Sequence, residues 1–561
     1  MTDHLRIVLA QFNPTVGDVP GNLARLRALR DEARAQQADL LVGSELCVSG
    51  YPPEDLVLKP AFLATVRAGI EELALETADG GPGLLIGAPW CEDPEATWPL
   101  RGKVFNAALL LDAGRIQAVR YKYNLPNYGV FDEGRVFTQG PLPGPVNFRG
   151  VRIGVPVCED IWYPDVVECL EESGAELLLV PNGSPFEEGK LEVRQQVVLN
   201  RIAESRLPLA YVNQVGGQDE LVFDGSSFVL GGDSSLRVLL PAFEEKLSLT
   251  DWRREDDGWV CREGEQAAPA EGHEALYRAL QLGLRDYVRK NGFPGVVIGM
   301  SGGIDSALSA AVAVDALGAE QVHCVMMPSP YTSQDSLEDA AEGARLLGCR
   351  LDEINIGPAM QAFDTMLKPL FEGLPVDVTE ENIQARARGI SLMALSNKFG
   401  HMVLSTGNKS EMSVGYATLY GDMCGGYNVL KDVYKQSVYA LSRWRNANKP
   451  KDALGPEGLV IPERIITKAP SAELRPDQKD EDSLPPYADL DAILRGLIEE
   501  EASVDAIVAR GYDRAEVNRV WRLLENAEYK RRQAAPGVKV TSRAFGRDRR
   551  YPVTNAFKGP A

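Results

Sequence analysis

Histidine is scarce in this chain: four residues in 561, at His4, His273, His323 and His401. None stands in an HExxH-type motif, so a histidine base or a histidine-rich zinc site has little to draw on. The eight cysteines form no CxxC pair and no close Cys/His cluster, which speaks against zinc. Most of them read as small buried residues in a reducing compartment. No apolar run approaches the ~20 residues of a membrane helix. The opening MTDHLRIVLAQFNP offers only Ile7–Ala10 as an apolar patch, where a secretory signal needs a basic start and a longer apolar core. The expectation is a cytoplasmic protein that keeps its N-terminus and has no membrane partner. Positive charge is also in deficit, 59 Lys and Arg against 80 Asp and Glu, for a net charge of −21. That removes the electrostatic basis of bulk nucleic-acid binding. Chemistry here must draw on carboxylates, lysines and thiols.

What is present reads as two α/β halves. The stretch 251–272, DWRREDDGWVCREGEQAAPAEG, is acidic, poor in aliphatics and aperiodic; it is expected to be a linker between domains at 1–250 and 273–561. Before it, strand-like runs (5–10, 39–43, 83–88, 107–112, 151–157, 176–181, 209–212) alternate with helical patterning at 22–37 and 195–206. After it comes a βαβ order: a strand at 296–299, an alanine-rich helix at 307–317, and strands at 322–327, 353–356 and 401–405. A helix at 336–347 opens on Ser336 and Asp339 as a capping box. Another, at 380–397, carries Ile383, Ala387, Ile390 and Ala394 on one face. This half is expected to be a doubly wound parallel sheet, binding ligands at the C-terminal ends of its strands. Further helices fill 487–532, and a basic tail ends the chain.

Gly299, Met300, Ser301, Gly302, Gly303, Ile304, Asp305 and Ser306 lie between a strand and a helix. The glycines allow a sharp turn and close backbone approach, and the free N–H groups of the next helix point at the loop. Beside a triphosphate, Asp305 makes sense as a magnesium ligand. The loop lacks the lysine of GxxxxGK[ST]. A second polar cluster, STGNKSE at 405–411, follows the strand at 401–404. Thr406 is placed to bond nucleotide and Glu411 to share magnesium with Asp305.

The SGGxDS pattern resembles that of the ATP pyrophosphatases, which cleave ATP between the α- and β-phosphates and leave an adenylated substrate. With STGNKSE, GYATLYGDM, KAPSAEL (468–474) and RAFGRDRRYPVTN (543–555), residues 273–561 resemble the synthetase domain of the NAD synthetases. The resemblance implies a Rossmann-like fold of the adenine nucleotide α-hydrolase type. It implies ATP contacts from the 299–306 loop, Thr406, Lys435 and Ser471, and deamido-NAD contacts from Asn382, Glu411 and Lys530. The reaction it implies adenylates the nicotinate carboxylate of deamido-NAD, and ammonia then displaces AMP. The tail from Lys530 to Arg550 carries eight lysines and arginines; most read as a solvated end, some as partners for a dinucleotide pyrophosphate or another subunit.

Three residues of the first half stand in apolar surroundings: Glu45 in LLVGSELCVSGYPPED, Lys122 in RYKYNLPNYGVFDE and Cys158 in VRIGVPVCEDIW. Singly they read as a cap, a surface cation and a core thiol. Together they resemble the Glu–Lys–Cys triad of the nitrilase-type amidases, over about residues 4–245, and imply an αββα sandwich. On that resemblance Cys158 attacks the glutamine amide, a nearby lysine favouring its thiolate. Glu45 carries the proton and Lys122 stabilises the oxyanion. Tyr128, Ser184 and Lys190 would hold glutamine. Many nitrilases have proline before the glutamate; Ser44 stands there in this chain.

A glutaminase joined to an adenylating domain implies ammonia transfer, and a closed passage would keep the ammonia unprotonated. The resulting expectation is glutamine-dependent NAD synthesis from ATP, deamido-NAD and L-glutamine, with magnesium, in a homo-oligomer. Another amidotransferase with the same ATP loop, GMP synthetase or an asparagine-forming enzyme, is the near alternative; those usually carry other glutaminase folds. A nucleotide sensor with a dead amidase is the distant one, and it would bind ATP without making AMP and pyrophosphate.

Overall fold

Leu5, Ile7 and Leu9 alternate with Val8 and Ala10 along the strand His4–Gln11, and all are buried. A strand sends successive side chains to opposite faces, so both faces must be covered. The computed structural model, which describes residues 2–91, 103–476 and 478–557, meets this with two layers. Leu5, Ile7 and Leu9 join a core shared with Leu177, Leu179, Ala210 and Val212 of a second sheet. Val8 and Ala10 pack under the helices Val19–Ala35 and Pro60–Glu76. The helices Pro164–Glu172 and Lys190–Ser205 cover the far side of the second sheet through Leu178, Val180 and Tyr211. The result is an αββα sandwich. Its first sheet has seven strands, in the order Gly258–Cys261, Lys246–Glu255, His4–Gln11, Leu40–Val42, Gly83–Cys91, Val104–Asp112 and Arg115–Tyr121. Its second has six, in the order Leu236–Leu239, Phe228–Leu230, Leu209–Asn213, Leu177–Asn182, Val151–Gly154 and Val146–Phe148.

The chain divides into two compact units, Met1–Gln218 with Val222–Ala270, and Asp219–Leu221 with Glu271–Ala561. The second is built on a five-stranded parallel sheet in the order Arg350–Glu353, Val322–Met326, Val296–Gly299, Met402–Ser405 and Tyr427–Asn428. The chain leaves Val296–Gly299 for a strand on one side and later returns on the other. The loop after it therefore sits at the topological switch point, where such sheets bind ligands. The helix Ile304–Leu317 is buried nearly all round, as an alanine-rich helix between other layers must be.

Four local expectations are corrected. The stretch 251–272 is sheet as far as Cys261: Lys246–Glu255 pairs antiparallel with the whole of His4–Gln11, from His4 opposite Arg253 to Gln11 opposite Lys246, and then with Gly258–Cys261. Its inward residues are Trp252, Trp259 and Cys261, all buried; the core side is aromatic and sulfur-bearing, so a search for aliphatics passes over it. The helix expected to open at Ser336 is Gln334–Leu347, capped by Ser333, whose hydroxyl accepts from the Ser336 N–H at 3.2 Å. Ser336 instead turns its own hydroxyl to Glu473 at 2.7 Å. The helix Val378–Phe399 buries Gln384, Ala385, Ala387, Gly389 and Leu392, while Ile390 is 68% exposed. Of the face assigned to aliphatics only Ala387 is buried, and a different face, Ala385, Arg388, Gly389 and Leu392, lines a cavity. In the basic tail, Arg549 is buried against Glu525 (2.8 Å) and Glu528 (3.1 Å), so this charge serves packing.

Candidate active sites

Each residue of the first site stands just past a strand. Glu45 follows Leu40–Val42, Lys122 follows Arg115–Tyr121, and Cys158 opens the short turn Cys158–Ile161 beyond Val151–Gly154. All three are buried, at 0%, 1% and 4% exposure. Lys122 Nζ lies 2.7 Å from Glu45 Oε1 and 2.9 Å from Glu133 Oε1. Glu45 also accepts from Asn106 Nδ2 at 2.7 Å and from the Gly183 N–H at 2.9 Å. Burial works against the Lys122 ammonium, but the Glu133 and Glu45 carboxylates outweigh it and hold its pKa well above the ordinary value. The Glu45 turn keeps its place with Ser44 before it: the Glu45 N–H donates to the Asn182 carbonyl at 3.3 Å. Gly87 backs the turn, where a Cβ would meet the Leu46 nitrogen at 2.3 Å.

Cys158 departs from expectation in one respect. Burial and Glu45 push its thiol pKa well above the ordinary value, and Lys122 offsets only part of this. The sulfur therefore rests as the thiol, and an attack by it would have to shed the proton. Glu133 was not singled out in the sequence, although it is the last residue of the RYKYNLPNYGVFDE stretch. Its signal was an acidic residue close after Lys122. Burial pushes its carboxyl up to about 7, against the pull of Lys122, and Tyr51 OH donates to it at 2.9 Å.

Of the expected glutamine contacts, Tyr128 is half exposed and donates its hydroxyl to Glu159 at 2.8 Å. Ser184 is buried, its Oγ accepting from Arg194 Nε at 3.0 Å. Lys190 opens its helix with Nζ 5.1 Å from the Trp162 ring centre and bears electrostatically on Glu159. Glu159 is a further residue not anticipated; burial raises its pKa.

In the second unit, Gly302 adopts φ +77°, and a Cβ there would meet the Ser336 carbonyl oxygen at 2.2 Å; only glycine fits. Ser301 and Ser306 bond hydroxyl to hydroxyl at 3.0 Å. Asp305 Oδ1 accepts from Asn408 Nδ2 at 2.9 Å, and Asn408 Oδ1 in turn caps the helix Lys409–Val414 through the Glu411 N–H. That capping residue thus fixes Asp305 and Glu411 relative to each other. Lys435 Nζ lies between the two carboxylates, 2.5 Å from Asp305 Oδ2 and 3.1 Å from Glu411 Oε1. Burial pushes Glu411 up to about 8, with Lys435 opposing and Asp305 adding to it. These groups line a cavity of about 290 Å³, together with the whole 299–306 loop, Thr406 and Ser471. Arg388, unforeseen, also lines it.

Asn382 and Lys530 meet the segment just beyond Glu411. Asn382 Oδ1 accepts from Thr418 Oγ1 at 2.9 Å. Lys530 Nζ donates to the Gly415 and Ala417 carbonyls at 2.7 and 2.6 Å, and burial lowers its pKa. The lysine inside STGNKSE, Lys409, is fully buried on Asp432 and Glu499 at 2.8 and 2.9 Å and anchors the helix.

Two family models divide the chain in the same way. Residues 6–256 match the carbon-nitrogen hydrolases and residues 276–534 the NAD synthases. Along its whole length the chain is 52% identical to the glutamine-dependent NAD(+) synthetase of Rhodobacter capsulatus, with 100% of both chains covered. The chain belongs to the glutamine-dependent NAD(+) synthetase family. Its counterpart in Acinetobacter baylyi is 45% identical, with 99% of each chain covered. Among solved structures, the family member from Acinetobacter baumannii, in complex with adenosine diphosphate, covers 100% of both chains at 43% identity and a TM-score of 0.77. That from Cytophaga hutchinsonii, at 22% identity and a TM-score of 0.81 over 99% of this chain, shares the fold.

Proposed function

We propose that the chain converts deamido-NAD, ATP, L-glutamine and water to NAD, AMP, diphosphate and L-glutamate. The observation that carries this reading is the pairing of a buried Glu45–Lys122–Cys158 cluster in one unit with an SGGxDS loop at a sheet switch point in the other. In the first unit, the Cys158 thiol attacks the side-chain amide of glutamine as its proton passes to Glu45. Lys122 stabilises the oxyanion. Glu45 returns the proton to the departing ammonia and then activates water to hydrolyse the thioester. Tyr128, Ser184 and Lys190 hold glutamine.

In the second unit, the 299–306 loop, Thr406, Lys435 and Ser471 bind ATP, while Asn382, Glu411 and Lys530 bind deamido-NAD. Asp305 and Glu411 already converge on one cation, Lys435, and so fit a second. Among the described residues no cluster of three or more His, Cys, Asp or Glu side chains forms a metal cage. Two carboxylates suit magnesium, which keeps most of its coordination for phosphate and water. Bound there, it would neutralise phosphate charge during adenylation. The carboxylate of deamido-NAD attacks the α-phosphate, diphosphate leaves, and ammonia displaces AMP from the adenylate. Eight free thiols support a cytoplasmic setting, and among the described residues no helix is long and apolar enough to cross a membrane.

Supplied with all three substrates and magnesium, the protein should release NAD, AMP and diphosphate in equal amounts, with at least as much glutamate; AMP formation without NAD would defeat the reading. With amide-labelled [15N]glutamine in unlabelled ammonium, most NAD should carry the label. Full dilution into the medium would rule out protected transfer between the sites.

Glu133→Gln tests the unforeseen carboxylate. Removing one of the two charges that hold Lys122 should lower glutamine-dependent kcat by about a hundredfold and leave ammonium-driven turnover intact. It also has a stability signature. The folded Glu133 pKa, about 7, lies above the ~4.3 of an ordinary glutamate. Its contribution to stability is therefore full below that lower value and is lost as pH rises through the upper one. The fall in melting temperature between about pH 5 and pH 8 should be shallower in the variant. Parallel melting curves would remove Glu133 as its source.

A further inference from the structure

Lys122 and Cys158 stand on different backbone segments, yet the proposed glutaminase needs their ammonium and thiol at a fixed separation. One side chain joins the two segments. Asp160 is fully buried. Its Oδ1 accepts from the N–H groups of Tyr123 at 3.0 Å and Asn124 at 2.7 Å, the two residues after Lys122. Its Oδ2 accepts from the N–H of Val157 at 3.0 Å, the residue before Cys158. The Asp160 N–H closes the turn on the Val157 carbonyl at 3.1 Å. Cys158, inside that turn, holds φ +48°, a conformation that a non-glycine residue keeps only when its surroundings impose it.

The geometry points to Asp160 as a positioning residue of the glutaminase, one carboxylate that sets the distance between Lys122 and Cys158 by holding both backbone segments. The inference rests on the roles given above to those two residues. A carboxylate is the group the task requires, because all three partners are donors and an ionised carboxylate only accepts. Burial pushes its pKa up to about 7 against the pull of those N–H groups and Lys122, so the acceptor-only form is the one present above that pH. Asparagine offers one oxygen and one NH2, so either the 123–124 pair or Val157 would face a second donor at a fully buried position. Leaving two donors facing each other at a buried position is costly, so one of the two segments must shift.

The test uses the full-length protein with Asp160→Asn, Asp160→Glu and, as a reference, Cys158→Ala. Three quantities are read: glutamine-dependent kcat and KM, ammonium-driven NAD formation, and the pH midpoint of Cys158 alkylation by iodoacetamide, taken as the difference from Cys158→Ala. A displacement near 1 Å should lower the glutamine kcat of Asp160→Asn about a hundredfold while KM stays within about threefold. Ammonium-driven turnover should persist. The alkylation midpoint should move, because the distance of Lys122 helps set the ionisation of the thiol. Asp160→Glu, which keeps an acceptor-only group, should recover at least about tenfold of the lost kcat. The proposal is overturned by a glutamine kcat of Asp160→Asn close to that of the unaltered protein, by a loss of kcat that leaves the alkylation midpoint in place, or by no recovery in Asp160→Glu. Glutamine use by Cys158→Ala would instead overturn the underlying glutaminase reading, whatever the Asp160 variants do.

Discussion

Cys158→Ala will form NAD from ammonium at close to the rate of the unaltered protein and will have lost at least about a thousandfold of its glutamine-dependent rate. The reason is chemical. A thioester cannot form without the sulfur, and neither Glu45 nor Lys122 offers another nucleophile, since each is held by the other at 2.7 Å. The substitution removes little volume from a site formed by rigid strand ends, so the fold should survive it. The proposed adenylating site lies in the other unit, where residues 299–306, 406, 411 and 435 line one cavity. The measurement is NAD formation at saturating glutamine and, separately, at saturating ammonium near pH 8.5, where about a tenth of the ammonium is free ammonia. Loss of both activities in a folded protein would mean that the two sites are not separable. Persistence of glutamine use would mean that Cys158 is not the nucleophile.

Asp305→Ala will do the opposite and remove NAD formation from both nitrogen sources, by about a thousandfold or more. Asp305 is the one carboxylate of the phosphate loop, and it shares Lys435 with Glu411. Without it Lys435 keeps a single carboxylate partner, and Glu411 alone would be left to hold the proposed magnesium. Glutamine hydrolysis should continue in the variant, measured as glutamate release, because Cys158, Glu45 and Lys122 are untouched. Exchange of labelled diphosphate into ATP in the presence of deamido-NAD reports adenylation directly and should vanish. Exchange at an undiminished rate would show that Asp305 serves neither the metal nor the phosphates.

Much of the second site was legible because its signals are local. SGGxDS puts glycines, a carboxylate and hydroxyls within six residues, and the backbone alone arranges them at a helix N-terminus. STGNKSE is similar, although not every polar side chain in it faces the cavity: Lys409 is buried on Asp432 and Glu499. Nothing in seven residues separates a lysine that faces a cavity from one that faces the interior. Glu133 and Asp160 were overlooked for the opposite reason. Both lie inside stretches quoted for their neighbours, yet part of what holds each comes from elsewhere in the chain: Tyr51 for Glu133, and Tyr123 and Asn124 for Asp160. The 251–261 strands were overlooked because Trp252 and Trp259 carry the core pattern among acidic residues.

The sequence alone determined the alternation of strands and helices, the glycine loop and its missing lysine, and the presence of Glu45, Lys122 and Cys158. Each of these depends on residues near one another in the chain, or on a motif matched one residue at a time. The tertiary structure alone decided how Cys158, Glu133 and Glu411 ionise. Cys158 rests as a thiol, Glu133 sits near 7 and Glu411 near 8, because burial and neighbouring charge set a pKa, and both depend on which distant segments pack together.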